Sequence, residues 1–399
     1  MNAIPGESLP ALCDDGHVLI VCKYYHHPAV AMAVIMRNLL SRFSPESFTV
    51  ITDPVPGIGP RHPGARDYDF APLPSFLPQR LQPLWQRAQV PLASARAASL
   101  IRELDVRAVV VCHVDMHAVT VARNAAKTTQ TPWMPYIHNM IWENYRDTKL
   151  EKRAVRVQKQ VFEEASSLLV MCDGIKDLYH ERYGIESRSI VHNHIEPVRE
   201  TLPDRPVKPQ CFLSGHIYQI NVHAVKRVVE AARQLGLSMV VTAPESHLTT
   251  AGIADQVRRE FYPEREDYLA ALEEQAILVT ALDWPKESKQ SEEELLTLLP
   301  TRVVEYLAAG RPVLAHCPPE SFMAKFLIRH KCAMVVTEPS VEAVVDGMKL
   351  LLAGGEAIDS LCRAGLDTVR NVFGIDQVAA AFRDEVNAVA KLRWGQKLR

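Results

Sequence analysis

The segment 299–315, Leu-Pro-Thr-Arg-Val-Val-Glu-Tyr-Leu-Ala-Ala-Gly-Arg-Pro-Val-Leu-Ala, constrains this chain more than any other. It reads as a short helix running directly into a buried strand. Pro300 suits the first helical position, where a missing N–H costs nothing. Gly310 is placed to end the helix, and Pro312 forbids its continuation. Val313, Leu314 and Ala315 then read as a core strand. A helix start leaves amide N–H groups free and a partial positive charge, both of which suit a phosphate. Arg302 in that first turn adds a fork of donors. Glu305, one turn further on, is positioned to accept hydrogen bonds from sugar hydroxyls. Its replacement by Ala is expected to weaken ligand binding while leaving the melting temperature nearly unchanged.

The same alternation of strand and helix runs through the chain. Apolar runs at 18–22, 48–51, 108–112, 133–137, 168–172, 211–215, 238–242, 276–279 and 333–336 are short, β-branched and continuous, as in strands buried on both faces. Helical patterns separate them at 28–43, 94–104 (Ser94 as N-cap), 146–165, 225–235, 340–352 and 376–392. This spacing predicts an α/β chain of parallel sheets with helical crossovers. At 399 residues there is material for two cores. The polar, Pro-rich stretch 201–209 reads as the linker between them.

Segment 299–315 resembles the Pro-x-Lys-x-x-Glu-Tyr-x-Ala-x-Gly-x-Pro-Val signature of GT-B fold retaining glycosyltransferases, family four in particular. The resemblance implies two Rossmann-like domains facing a cleft. Residues 1–200 would bind the acceptor, 201–375 would bind a nucleotide-sugar, and a tail helix within 376–399 would cross back onto the first domain. In that family the Glu holds the ribose, while the basic residue and the helix start hold the diphosphate. Those roles fall to Glu305, Arg302 and Thr301. Gly215, His216 and Lys226 stand where a strand end and the following helix approach the diphosphate. His138, after the 133–137 strand, stands where family members carry a His near the transferred sugar. Arg302 replaces the usual Lys. The first Glu of the longer Glu-x7-Glu pattern is Thr297 here. The implied activity is transfer of a sugar from a nucleotide-sugar to a hydroxyl acceptor, retaining and metal-independent. The donor is a co-substrate and no resident cofactor is expected. The alternative is a non-catalytic nucleotide-sugar-binding or partner subunit; a nucleotide-sugar epimerase ranks below both.

Other features refine this reading. The loop 23–29, after the first strand, carries no Gly where the family has a Gly-Gly turn; His26 and His27 are its polar groups. His113 and Asp115 follow the 108–112 strand, at the end where ligands gather in open α/β sheets. Residues 54–83 are rich in Pro and Gly and read as a long loop. Asp67 and Asp69 within it form an Asp-x-Asp, read as two loop carboxylates rather than metal ligands. Lys149, Lys152, Arg153, Arg156 and Lys159 share a face of the 146–165 helix. A solvated face balanced by Glu151, Glu163 and Glu164 is preferred to a peripheral membrane contact. Net charge is −2, which gives no global attraction to nucleic acid. Eight Cys without a Cys-x-x-Cys pair, no apolar leader and no run of membrane-spanning length give a cytoplasmic expectation.

Overall fold

The structure, a computed structural model, describes residues 9–27, 30–53, 65–67, 78, 81–113, 116–138, 140–204 and 208–398. It divides into two units, one of Met1–Asn193 with Ile375–Arg399, the other of His194–Gly374. Each is built on one parallel sheet.

The first unit contains β1 (His17–Val21), α1 (Ala31–Leu40), β2 (Phe48–Thr52), β3 (Ala65–Asp67), α2 (Gln82–Glu103) and β4 (Val106–His113). It continues with α3 (Met116–Thr129), β5 (Trp133–Ile137), α4 (Glu151–Glu164), β6 (Leu169–Val170), α5 (Asp173–Tyr183) and β7 (Arg188–Ser189). The strand order is β3-β2-β1-β4-β5-β6-β7. Val18–Val21 and Ala108–Cys112 at its centre are fully buried, which is why they read as unbroken apolar runs. The edge strand β7 is only two residues long, Arg and Ser, a composition that discourages further pairing.

The second unit contains β8 (Lys208–Leu213), α6 (Val222–Gln234), β9 (Ser238–Val241), α7 (Glu245–Ala251), β10 (Arg258–Arg259), α8 (Arg265–Glu273) and β11 (Gln275–Ala281). Then come α9 (Glu292–Thr297), α10 (Arg302–Ala308), β12 (Val313–His316), α11 (Phe322–His330), β13 (Met334–Val336), α12 (Val341–Ala353) and α13 (Glu356–Thr368). Its order, β10-β9-β8-β11-β12-β13, repeats the reversal of the first sheet. Both are doubly wound sheets whose direction of growth switches between two central strands, leaving a crevice beyond those strands' carboxyl ends. In the second unit the switch lies between β8 and β11.

The last helix, α14 (Ile375–Ala390), belongs to the first unit. Its Glu385 is 3% exposed and binds two segments of that sheet: Ser167 Oγ donates to one carboxylate oxygen, and Arg188 Nε donates to the other at 2.9 Å. Beyond it Trp394 stacks on Trp133, with ring centroids 6.2 Å apart.

Several element boundaries differ from the sequence expectation. The first turn of α10 begins at Arg302, so Pro300 precedes the helix instead of opening it. Ser94 lies buried inside the 22-residue α2, which continues through Pro91; the small residues Ala93, Ala97 and Ala98 beyond it are buried and carry the helix on. Helix α4 starts at Glu151 rather than 146, because Asp147 adopts φ 59° and breaks the spiral. The 54–83 stretch supplies β3, which pairs in parallel with β2, and Asp67 ends that strand; Asp69 and most of the stretch lie outside the described residues. The division falls at 193/194, not in 201–209, because Leu202 packs against the core of the second unit and Pro203 sits against Gly310.

Replacing Glu385 by Ala strips a buried acceptor from both partners and is expected to cost about 1.5–3 kcal/mol, the worth of charged hydrogen bonds. Amide exchange across α14 should accelerate accordingly in the variant; unchanged protection there would show that Glu385 does not hold the tail helix down.

Candidate functional site

The site grows from the end of β8. Strand β8 delivers Ser214, whose N–H donates to the Tyr306 hydroxyl at 2.7 Å. The hydroxyls of Tyr268 and Tyr306 lie 3.0 and 3.1 Å from Ser214 Oγ. Burial raises the pKa of both phenols, so they stay protonated donors at any physiological pH. Tyr268 is also 2.9 Å from Glu305 Oε2, while Arg265 Nη1 donates to Glu305 Oε1 at 2.9 Å. Arg265 turns its Nε to Glu196, which His194 approaches to 3.5 Å. Helix α8, α10 and the end of β8 are thereby joined through one carboxylate. Glu305 is 25% exposed and fixed in orientation by two partners, so its removal is not neutral for stability, contrary to the expectation from sequence.

Next to this network the chain turns at Gly215, with φ +80°, a conformation that favours glycine. Its N–H donates to Thr242 Oγ1 at 2.9 Å. A Cβ built there would stand 3.4 Å from Arg302 Nη2, so the guanidinium lies over bare backbone. Arg302 Nη2 reaches the His216 carbonyl only at 3.5 Å, and Nη1 is buried with no partner among the described residues. A buried cationic donor without an acceptor is costly. It is the one group of this cluster whose hydrogen bonding a bound anion would complete.

The helix starts contribute less than sequence implied. At α10 the N–H groups of Val303 and Val304 are spent on the carbonyls of Pro300 and Thr301, and Thr301's side chain makes no cap. At α6 the first turn is already capped by Asp283, which follows β11 and accepts from Ala224 N–H at 2.7 Å. The unsatisfied cationic donor of this region is Arg302. His216 is exposed and edge-on to His247, with centroids 4.9 Å apart. Partial burial, then His247, then Arg302 lower its pKa, so the ring is neutral at pH 7.

Five of the residues singled out from sequence, Gly215, His216, Thr301, Arg302 and Glu305, thus fall on the β8 turn and α10. Lys226 is exposed on the second turn of α6; its neighbour Arg227 is the one that turns inward, paired with Glu287 and lying over the Trp284 ring. His138 is buried at the end of β5 in the first unit, its ring 4.3 Å from that of Tyr136. His113 closes β4, and Asp115 lies outside the described residues. His26, at 0% exposure, is not a polar loop group open to a ligand. Arg265 and Tyr268 escaped the sequence reading. They sit in residues 243–275, a stretch of weak period, and their i, i+3 spacing on α8 was the available signal.

No family model matches the chain, and no curated protein does. Solved structures do. Sucrose-phosphate synthase from Thermosynechococcus elongatus superposes with a TM-score of 0.70 at 14% identity, covering 94% of this chain and 99% of that one. HepE from Anabaena, in complex with UDP-glucose, gives 0.66 at 10% identity, covering 94% and 100%. WaaG, a glycosyltransferase involved in lipopolysaccharide biosynthesis, gives 0.63 at 14% identity, covering 92% and 99%. The fold is that of the GT-B glycosyltransferases.

The Arg265 network carries a pH signature. Burial alone would raise the Glu196 carboxyl, but the adjoining guanidinium outweighs it and holds the pKa below the ordinary 4.5. A carboxylate whose pKa is depressed on folding stabilises the fold above its unfolded value, and that stability is lost as pH falls through the folded one. The midpoint of thermal unfolding should therefore be lower in Arg265→Gln than in wild type at pH 7. The gap should close as pH drops below 4.5. A gap independent of pH would remove the ion pair as its cause.

Proposed function

We propose that this protein is a glycosyltransferase that moves a sugar from a nucleoside-diphosphate sugar to a hydroxyl acceptor, and that the second unit holds the donor. The observation that carries the reading is the unpartnered Arg302 Nη1 above the Gly215 turn. Breaking the bond between the sugar and the diphosphate builds negative charge on the leaving group. A fixed cation aimed at that charge lowers the barrier most effectively where water is scarce. Arg302 fills this role with its own charge, in keeping with a metal-independent reaction. The structures of HepE with UDP and with UDP-glucose make uridine donors the first to try.

Glu305 grips the ribose in this proposal. A carboxylate offers about four lone-pair positions; Arg265 and Tyr268 use two and leave the others for a pair of sugar hydroxyls. The same two partners fix its orientation in advance, so less ordering is required when the nucleotide arrives. Thr301, Gly215 and His216 line the approach to the diphosphate, and Lys226 adds a distant positive charge. His138, on the first unit, keeps the catalytic role that the resemblance gives it near the transferred sugar, and the likeness of the segment around Glu305 to retaining enzymes supports retention of the anomeric configuration. The reaction is proposed to need no resident cofactor and to take place in the cytoplasm; no described helix is long and apolar enough to cross a membrane.

A non-catalytic nucleotide-sugar-binding subunit is the second reading. Its support is the loop after β1, where Tyr25 and His26 are packed inside the first unit in place of a glycine turn. Calorimetry with UDP, GDP, ADP and dTDP, followed by turnover assays with the matching sugar nucleotides, separates the two. Arg302→Ala is expected to weaken the preferred nucleoside diphosphate about 10- to 100-fold, the equivalent of one charged hydrogen bond. Equal affinity in the variant would overturn the donor site, whereas binding without turnover of any sugar nucleotide would favour the second reading.

Glu305→Ala should lower both nucleotide affinity and unfolding temperature, because it also strands Arg265 and Tyr268. Loss of stability alone, with nucleotide affinity intact, would confine Glu305 to a structural role.

A further inference from the structure

The first unit carries a groove of about 660 Å³ that the donor chemistry does not use. Its walls are α2 and α4, and residues of α3 lie between them. Lys152, Arg153 and Arg156 approach it from the first two turns of α4, and Lys149 from the turn just before that helix. Arg87 faces them from α2. Of the carboxylates expected to balance this face, none pairs with the four cations of the groove; only Lys159, outside it, is matched. Glu164 holds Arg123 through two oxygens, Glu163 pairs with Lys159, and Glu151 accepts from the Trp142 indole. Among the described residues no acidic side chain lines the groove, and none of the five cations has an ion-pair partner.

The apolar part of the groove narrows the choice of ligand. Val90, Leu150 and Val157 contribute to its lining. Leu84 at its rim is 64% exposed, and Leu92 further along α2 is 49% exposed. No described aromatic side chain lines it, so the stacking platforms of a single-stranded nucleic-acid site are missing. Cations interleaved with outward-facing leucines are the composition that meets an anionic lipid surface: head-group phosphates take the charges and the acyl boundary takes the leucines. We propose that α2 and α4 dock this protein on anionic phospholipid bilayers, with the groove seating a phosphate head group. The inference rests on the first unit alone and is independent of the donor reading.

Co-flotation of the full chain with phosphatidylcholine vesicles, with and without phosphatidylglycerol, tests this. Binding should require the anionic lipid and weaken as salt rises. Lys149→Ala/Lys152→Ala/Arg156→Ala should lower the partition coefficient roughly a hundredfold, about fivefold per cation. Leu84→Ser/Leu92→Ser should also lower it, without altering binding of free inositol hexakisphosphate. All five side chains are exposed, so the unfolding temperature should stay at its wild-type value and report intact folding. The control Lys325→Ala/Lys331→Ala/Lys349→Ala removes the same charge from exposed positions of the second unit and should leave binding unchanged. The proposal is overturned by equal binding to neutral vesicles or by undiminished binding of the triple α4 variant. An equal loss in the control, or displacement from the vesicles by RNA or soluble polyphosphate with no contribution from the leucines, overturns it as well.

Discussion

The carboxylate of Glu305, held between a guanidinium and a phenol, ties the second unit together beyond the carboxyl end of β8. Three segments far apart in the chain meet there: the end of β8 through Ser214, α8 through Arg265 and Tyr268, and α10 through Glu305 itself. A partly buried carboxylate gains from fixed donors, and the partly exposed guanidinium of Arg265 spends N–H groups on both Glu305 and Glu196. Each therefore fixes the other, and Glu196 on the far side of Arg265 completes the compensation. The product is an acceptor whose direction is set before any ligand enters.

Beside this network stands a cation with one nitrogen unmatched. The amino end of α6 is closed by Asp283, and two amides of α10 are turned back on the chain. The usual route to a phosphate site in a doubly wound sheet, an open helix start beyond a glycine turn, is thus partly shut. Arg302 remains, with one nitrogen buried and unmatched over the glycine backbone. The cluster thus sets a carboxylate held by two partners beside a guanidinium with one nitrogen unmatched.

Much of the architecture was legible in the sequence because the central parallel strands are buried on both faces. A run such as Val18–Val21 or Val109–Cys112 has no other stable location than a sheet core. The glycine at 310 and the strand after it were equally clear, since left-handed backbone at a helix end leaves few residue choices. What was not legible depended on tertiary partners. The continuation of α2 through Pro91 relies on the buried alanines around it, against local propensity. Glu305 was recognisable from its signature, but its restraint by Arg265 and Tyr268 was not, because those residues lie on a short helix of low amphipathic contrast, about forty positions away. The buried state of His26 and the capping of α6 by Asp283 are likewise contacts that no local pattern announces.

The first unit is interrupted in sequence: α14, whose Glu385 anchors to Ser167 and Arg188, follows the entire second unit. A ribosome making this chain delivers residues 194–374 as one uninterrupted piece, able to fold as soon as it emerges. The earlier-made sheet must wait for its final helix with Val378, Phe382, Val386 and Val389 still missing from its core. Translation order and assembly order are therefore reversed for the two units. The vulnerable interval for chaperone capture or proteolysis belongs to the half that was synthesised first.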